Sequence, residues 1–117
     1  MNTQHTPGPW HVTEHSAGMI CVAGPDHKDL CAVGYNKTEG RDDAANAQLI
    51  AAAPDMLKAL EGCLRVAKAH YLDMVDQYTD DDPDIEEHLR HAHPNIAAAA
   101  MEVKRIETII RKATGNI

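Results

Sequence analysis

The chain has 117 residues, a formal net charge of −7 from 18 acidic and 11 basic side chains, and very little aromatic surface. A chain of this size fits a single domain, residues 1–117, burying about two thirds of its unfolded surface. Its negative charge repels the phosphates that dominate nucleic-acid affinity, so direct DNA or RNA binding is not expected.

Residues 6–10, TPGPW, open the chain in a non-helical conformation, because each Pro biases the residue before it toward extended geometry. Three short strands are predicted at 10–15, 19–23 and 30–35. They are separated by turn-forming Ser16-Ala17-Gly18 and Gly24-Pro25-Asp26-His27, and together give an antiparallel meander over 10–35. A polar loop through Gly40 follows, and Asp42 or Asp43 caps a short helix over 42–53. Pro54 ends that helix and also suits the first turn of the next, so the two are expected nearly end to end.

The second helix is predicted at 55–78. Leu57, Leu60, Leu64, Ala67, Tyr71, Met74 and Tyr78 step alternately by three and four, a sustained heptad pattern. The acidic segment 79–84 is read as a turn in which Asp82 caps and Pro83 takes the first helical position. The last arm, 83–113, carries Ile85, Leu89, Ala92, Ile96, Ala99, Val103, Ile106, Ile110 and Ala113 in the same phase, with Gly115 as its stop. Pro94 falls inside it, and a kink or a brief break is expected there. The fold class is therefore α+β: a small N-terminal antiparallel sheet followed by an antiparallel helical hairpin. With only Trp10, Tyr35, Tyr71 and Tyr78 as aromatic anchors, and the small stretch Ala97 to Ala100 permitting a close helix partner, a homo-oligomer is expected.

No run of about 18 apolar residues is present for a membrane span, and MNTQHTPGPW lacks the charged-then-apolar pattern of a signal peptide. Cys21, Cys31 and Cys63 are odd in number and scattered, which opposes a disulfide framework. They read as small buried hydrophobes in a cytoplasmic protein. His88, His91 and His93 lie near one another on a helix, but no zinc-enzyme string accompanies them, and a solvated face explains them better. The same holds for His5, His11, His15 and His27, although His11 and His15 share a strand face. No nucleophile elbow surrounds Ser16, and the glycines do not spell a phosphate loop. No enzyme activity, cofactor or metal is expected. The residue types suited to an anionic ligand are Arg41, Arg105 and Arg111 for phosphate, Asn46 for a polar edge and Trp10 for stacking on a base.

TPGPW at 6–10 and ANAQLIAAAPDML at 45–57 resemble a widespread group of small phage and prophage proteins. Those have a similar opening, a short sheet, an alanine-rich helix and a helical tail. A sheet followed by two long helices also looks like the first described Thoeris anti-defence family, oligomers that sequester cyclic nucleotide immune signals without cleaving them. The resemblance implies a phage counter-defence sponge acting in the cytoplasm of an infected bacterium, with a small cyclic nucleotide as its partner. The alternative is an acidic inhibitor of a host effector, such as a CRISPR nuclease, that imitates nucleic acid. It would use Asp73, Asp76, Asp80, Asp81, Asp82, Asp84, Glu86 and Glu87.

Overall fold

The first strand alternates apolar and polar residues, and the long helices repeat apolar residues every three or four. A computed structural model describes residues 5–78 and 83–115. Strands β1 (His11–Glu14), β2 (Ile20–Ala23) and β3 (Asp29–Gly34) precede helices α1 (Asp43–Ala51), α2 (Ala53–Asp76), α3 (Ile85–Ala92) and α4 (Pro94–Thr114). The contacts group the chain into two compact units, Met1–Lys58 and Ala59–Ile117.

In the first unit the strands pair antiparallel in the order β1-β2-β3. Gly18, at φ 83°, and His27, at φ 63°, supply the left-handed residues that their two turns require. One sheet face packs on α1: Ile20, Val22 and Ala47 form the core, with Trp10, Val12, Val33 and Ala51 against it. The opposite face carries His11, Thr13 and His15 around the buried Cys21 and Ala23. Two bulges interrupt the β2–β3 ladder, since Ile20 pairs with Gly34 but Cys21 with Ala32, and Val22 with Cys31 but Ala23 with Asp29. The extra residues are Val33 and Leu30. A bulge reverses the faces of the residues on either side of it, so Asp29 and Cys31 point to opposite sides of the sheet. Cys21 is buried as expected, while Cys31 and Cys63 are exposed, contrary to the reading of all three as core.

Asp42 is the cap of α1, its carboxylate accepting from Ala45 N at 2.9 Å. Ala52 alone separates α1 from α2. Its ψ of −7° departs from helical values, and Pro54, lacking an N–H, is tolerated in the next first turn.

In the second unit α2 runs antiparallel to α4, because Lys68 pairs with Glu107 at 3.3 Å while Val75 shares a cluster with Leu89 and Ile96. Tyr71, Met74 and Ile85 complete that cluster. On the last arm the predicted positions Leu89, Ile96, Ile106 and Ile110 are buried. On α2 the buried residue of this unit is Val75, outside the predicted heptad, whose members Leu60, Leu64, Ala67, Tyr71 and Met74 are half-buried. Tyr78, Ala92 and Ala113 are exposed. At Pro94 the last arm breaks rather than kinks. His93 adopts an extended conformation, φ −126° and ψ 103°, as a residue before proline prefers, and Pro94 becomes the first residue of a new helix. The apolar phase passes through unbroken, with Leu89 and Ile96 buried on either side. The capping role expected of Asp82 lies outside the described residues; α3 begins after Asp84. Gly115 ends α4 in the left-handed conformation, as expected.

Candidate functional site

The first unit gathers its polar chemistry at the junction of β3 and α1. Asp43, in the first turn of α1, is 1% exposed. Its Oδ2 accepts from Asn36 N at 2.8 Å, and its own N–H donates back to Asn36 Oδ1 at 3.0 Å. Arg41 Nη2 reaches Oδ2 at 3.3 Å, and Arg41 Nε lies 2.6 Å from Oδ1. That second contact is an ion pair out of line for a hydrogen bond, leaving Oδ1 with no hydrogen-bond partner. The Arg41 guanidinium holds the Asp43 carboxyl below its ordinary pKa and outweighs the opposing effect of burial. Gly34 makes this latch possible. A Cβ on it would lie 2.7 Å from Asp43 Cγ and 2.9 Å from Arg41 Nη2.

An open pocket of about 530 Å³ adjoins the latch, lined by Val33, Arg41, Asp43, Asn46, Leu49 and Ile50 among others. Two of the residues expected to bind an anion, Arg41 and Asn46, therefore line one pocket with an apolar wall beside them. Arg41 remains about half exposed although Asp43 fixes its orientation. Trp10 takes the anchoring place instead: it packs on the core of the sheet, and its Nε1 donates to Thr6 O at 3.0 Å.

In the second unit Arg105 lines a groove of about 660 Å³ along α4 with Lys104, Met101 and Ile109. Its guanidinium bonds Glu102 at 2.8 Å. Arg111 faces Glu107 at 3.8 Å and does not line that groove. A further groove of about 700 Å³, lined by Ala59, Gly62, Val66, Ala99 and Ile106 among others, separates α2 from α4. His91 lies 3.9 Å from Glu87, and His93 stacks on Tyr78 with ring centroids 4.8 Å apart, so these two histidines are engaged separately.

The face of the sheet opposite α1 holds a grouping that sequence reasoning passed over. His15 Nε2 and Asp29 Oδ2 are 2.8 Å apart. Cys21 lies beside them, its thiol pushed above the ordinary pKa by burial first and by the Asp29 charge second. Thr13 Oγ1 donates to Asp29 Oδ1 at 3.3 Å. Period-two alternation places Thr13 and His15 on one face, and pairing of Thr13 with Cys21 adds the thiol. The position of Asp29 depends on the bulge at Leu30, which has no signature in the sequence.

One family model, described as Salmonella phage P22 protein Y8K6, matches residues 1–117. No curated protein matches the chain. No solved structure matches it either, so the likeness to the Thoeris anti-defence family rests on element order alone.

Proposed function

The chain belongs to the Salmonella phage P22 protein Y8K6 family, and from that premise we propose a counter-defence protein that binds and sequesters a cyclic nucleotide immune signal without cleaving it. The observation that carries this reading is the meeting of Arg41 and Asn46 at one open pocket walled by Val33, Leu49 and Ile50. Arginine provides charge-assisted bonds to phosphate, Asn46 a donor and acceptor for a base edge or ribose, and the apolar wall a surface for the base. Asp43 fixes the guanidinium in advance, which lowers the ordering cost of binding. Capture is stoichiometric and non-enzymatic, by a homo-oligomer, with Arg105 and Lys104 forming a second anion-compatible groove.

Purified protein incubated with cyclic oligonucleotides and cyclic ADP-ribose isomers, washed and heated, should release intact ligand. Arg41→Ala and Asn46→Ala should each weaken capture about tenfold, the loss of one or two good polar contacts. Absence of binding to every such nucleotide would sink the proposal.

A second reading is favoured by one observation. Asp73 and Asp76 on α2, with Asp84, Glu86 and Glu87 at α3, are all exposed within the second unit, while Asp80, Asp81 and Asp82 lie outside the described residues. Such a surface suits an acidic inhibitor of a host nuclease. A tagged chain retaining one host protein after washing, with no small molecule released on heating, would favour it.

A further inference from the structure

We infer that the face of the sheet opposite α1 is a zinc(II) site, with His15 Nε2, Cys21 Sγ and Asp29 Oδ2 as its three protein ligands and a fourth position open to solvent. Among the described residues this is the trio whose donor atoms converge, all lying within 4.8 Å of one another. Tetrahedral zinc with bonds of about 2.0–2.3 Å holds its ligands about 3.2–3.8 Å apart. A small inward rotation of the side chains therefore closes the site. His15 Nε2 and Asp29 Oδ2, now 2.8 Å apart and hydrogen-bonded, would spread by about half an ångström as the metal replaces their shared proton.

The surroundings resemble a metal centre more than an accidental cluster. Thr13 Oγ1 engages Asp29 Oδ1 and leaves Oδ2 for coordination, the outer hydrogen bond that orients a ligating carboxylate. The bulge at Leu30 turns Asp29 to the face carrying Cys21 and away from the face of Cys31. An ordinary surface ion pair accounts for His15 and Asp29 alone. It gives no role to the bulge that turns the carboxylate to the face carrying the thiol.

One nitrogen, one sulfur and one oxygen donor favour zinc over magnesium or calcium, which take all-oxygen shells. His15 and Asp29 are 46% and 37% exposed, so the fourth position is reachable by water or an incoming anion. The ligands come from the β1–β2 turn, from β2 and from the start of β3. Binding therefore ties all three strands together, and its free energy adds to the stability of the sheet. This inference does not rest on nucleotide capture.

Chelator-treated full-length protein titrated with cobalt(II) should develop a thiolate-to-metal charge-transfer band that saturates at one equivalent, and zinc should displace it. Zinc should also raise the Tm. A Cys31→Ser, Cys63→Ser double variant should keep the band, whereas His15→Ala and Asp29→Asn should weaken cobalt binding at least tenfold. These two exposed positions decide the matter even where Cys21→Ala does not fold. Cobalt binding without a thiolate band, a band unaffected by His15→Ala and Asp29→Asn, or no binding at all would overturn the site.

Discussion

Asp43 is a carboxylate buried at the junction of β3 and α1, and its chemistry has a pH signature. Its carboxyl lies below the ordinary value of 3.8, chiefly because Arg41 bonds it. A depressed folded pKa contributes stability that is complete above the unfolded value and lost as pH falls through the folded one. Thermal melts from neutral pH into the acid range should therefore show Tm falling once carboxylates protonate. Asp43→Asn should lower Tm at neutral pH by several degrees and flatten part of that acid limb. The amide must turn its NH2 toward either Arg41 or Asn36 N, and both are donors. An unchanged acid limb in Asp43→Asn would show that other carboxylates govern it. Gly34 gives a second test. Its φ of 153° is a conformation that L side chains rarely adopt, and a Cβ would press on Asp43 and Arg41. Gly34→Ala should cost about 2–3 kcal/mol, strain and overlap together. Gly18→Ala, strained at φ 83° but meeting nothing within 4 Å, should cost only about 1 kcal/mol. Urea denaturation of the two variants compares them directly, and equal losses would remove the argument for close approach.

Among the elements, the helical stripe was legible in advance because burial along a helix repeats locally. Leu57, Leu60, Leu64, Ala67, Tyr71 and Met74 are all at least half-buried, as their spacing requires. The strands were legible from the glycine-bearing turns that bound them rather than from their burial, which is continuous in β2 and broken by bulges in β3. What could not be read was anything set by the return of the chain. Asp42 and Asp43 are equivalent as capping candidates in the sequence; only the approach of Gly34 and Asn36 makes one a cap and the other a buried latch. Cys31 was expected in the core; it pairs with Val22 on the face toward α1 but stays exposed, lining the open pocket beside that helix. Arg41 and Asn46 were named for their chemistry, and the turn from β3 into α1 is what brings them to one pocket. The packed stripe also makes a quantitative prediction. Leu89, 5% exposed between Val75 and Ile96, should cost about 2–5 kcal/mol as Leu89→Ala. Met101→Ala, at a residue 72% exposed, should stay within about 0.5 kcal/mol. Similar losses at the two positions, measured by chemical denaturation, would contradict this division between core and surface.

For the whole molecule, the apolar surface left uncovered bears on assembly. Val66 and Met101 are each 72% exposed, and Ile109 46%, on helices whose opposite faces are already buried. Val66 lines the groove between α2 and α4, where Ala59, Gly62 and Ala99 present little side-chain bulk. Small residues let a further helix approach closely, and large apolar side chains beside them gain from the contact at about 25 cal/mol per Å² buried. A homo-oligomer would cover these residues, and capture by an assembled protein is part of the proposed function. Light scattering of the purified chain should thus give a mass above the 12.8 kDa of one copy. Val66→Asp should shift it toward that value, because a charge in an apolar interface must be desolvated without a partner. In a monomer the same substitution sits on an exposed helix face and is nearly neutral for folding. A wild-type mass of one copy, or a Val66→Asp variant with unchanged mass, would argue that this face stays in water and that any capture is complete within a single chain.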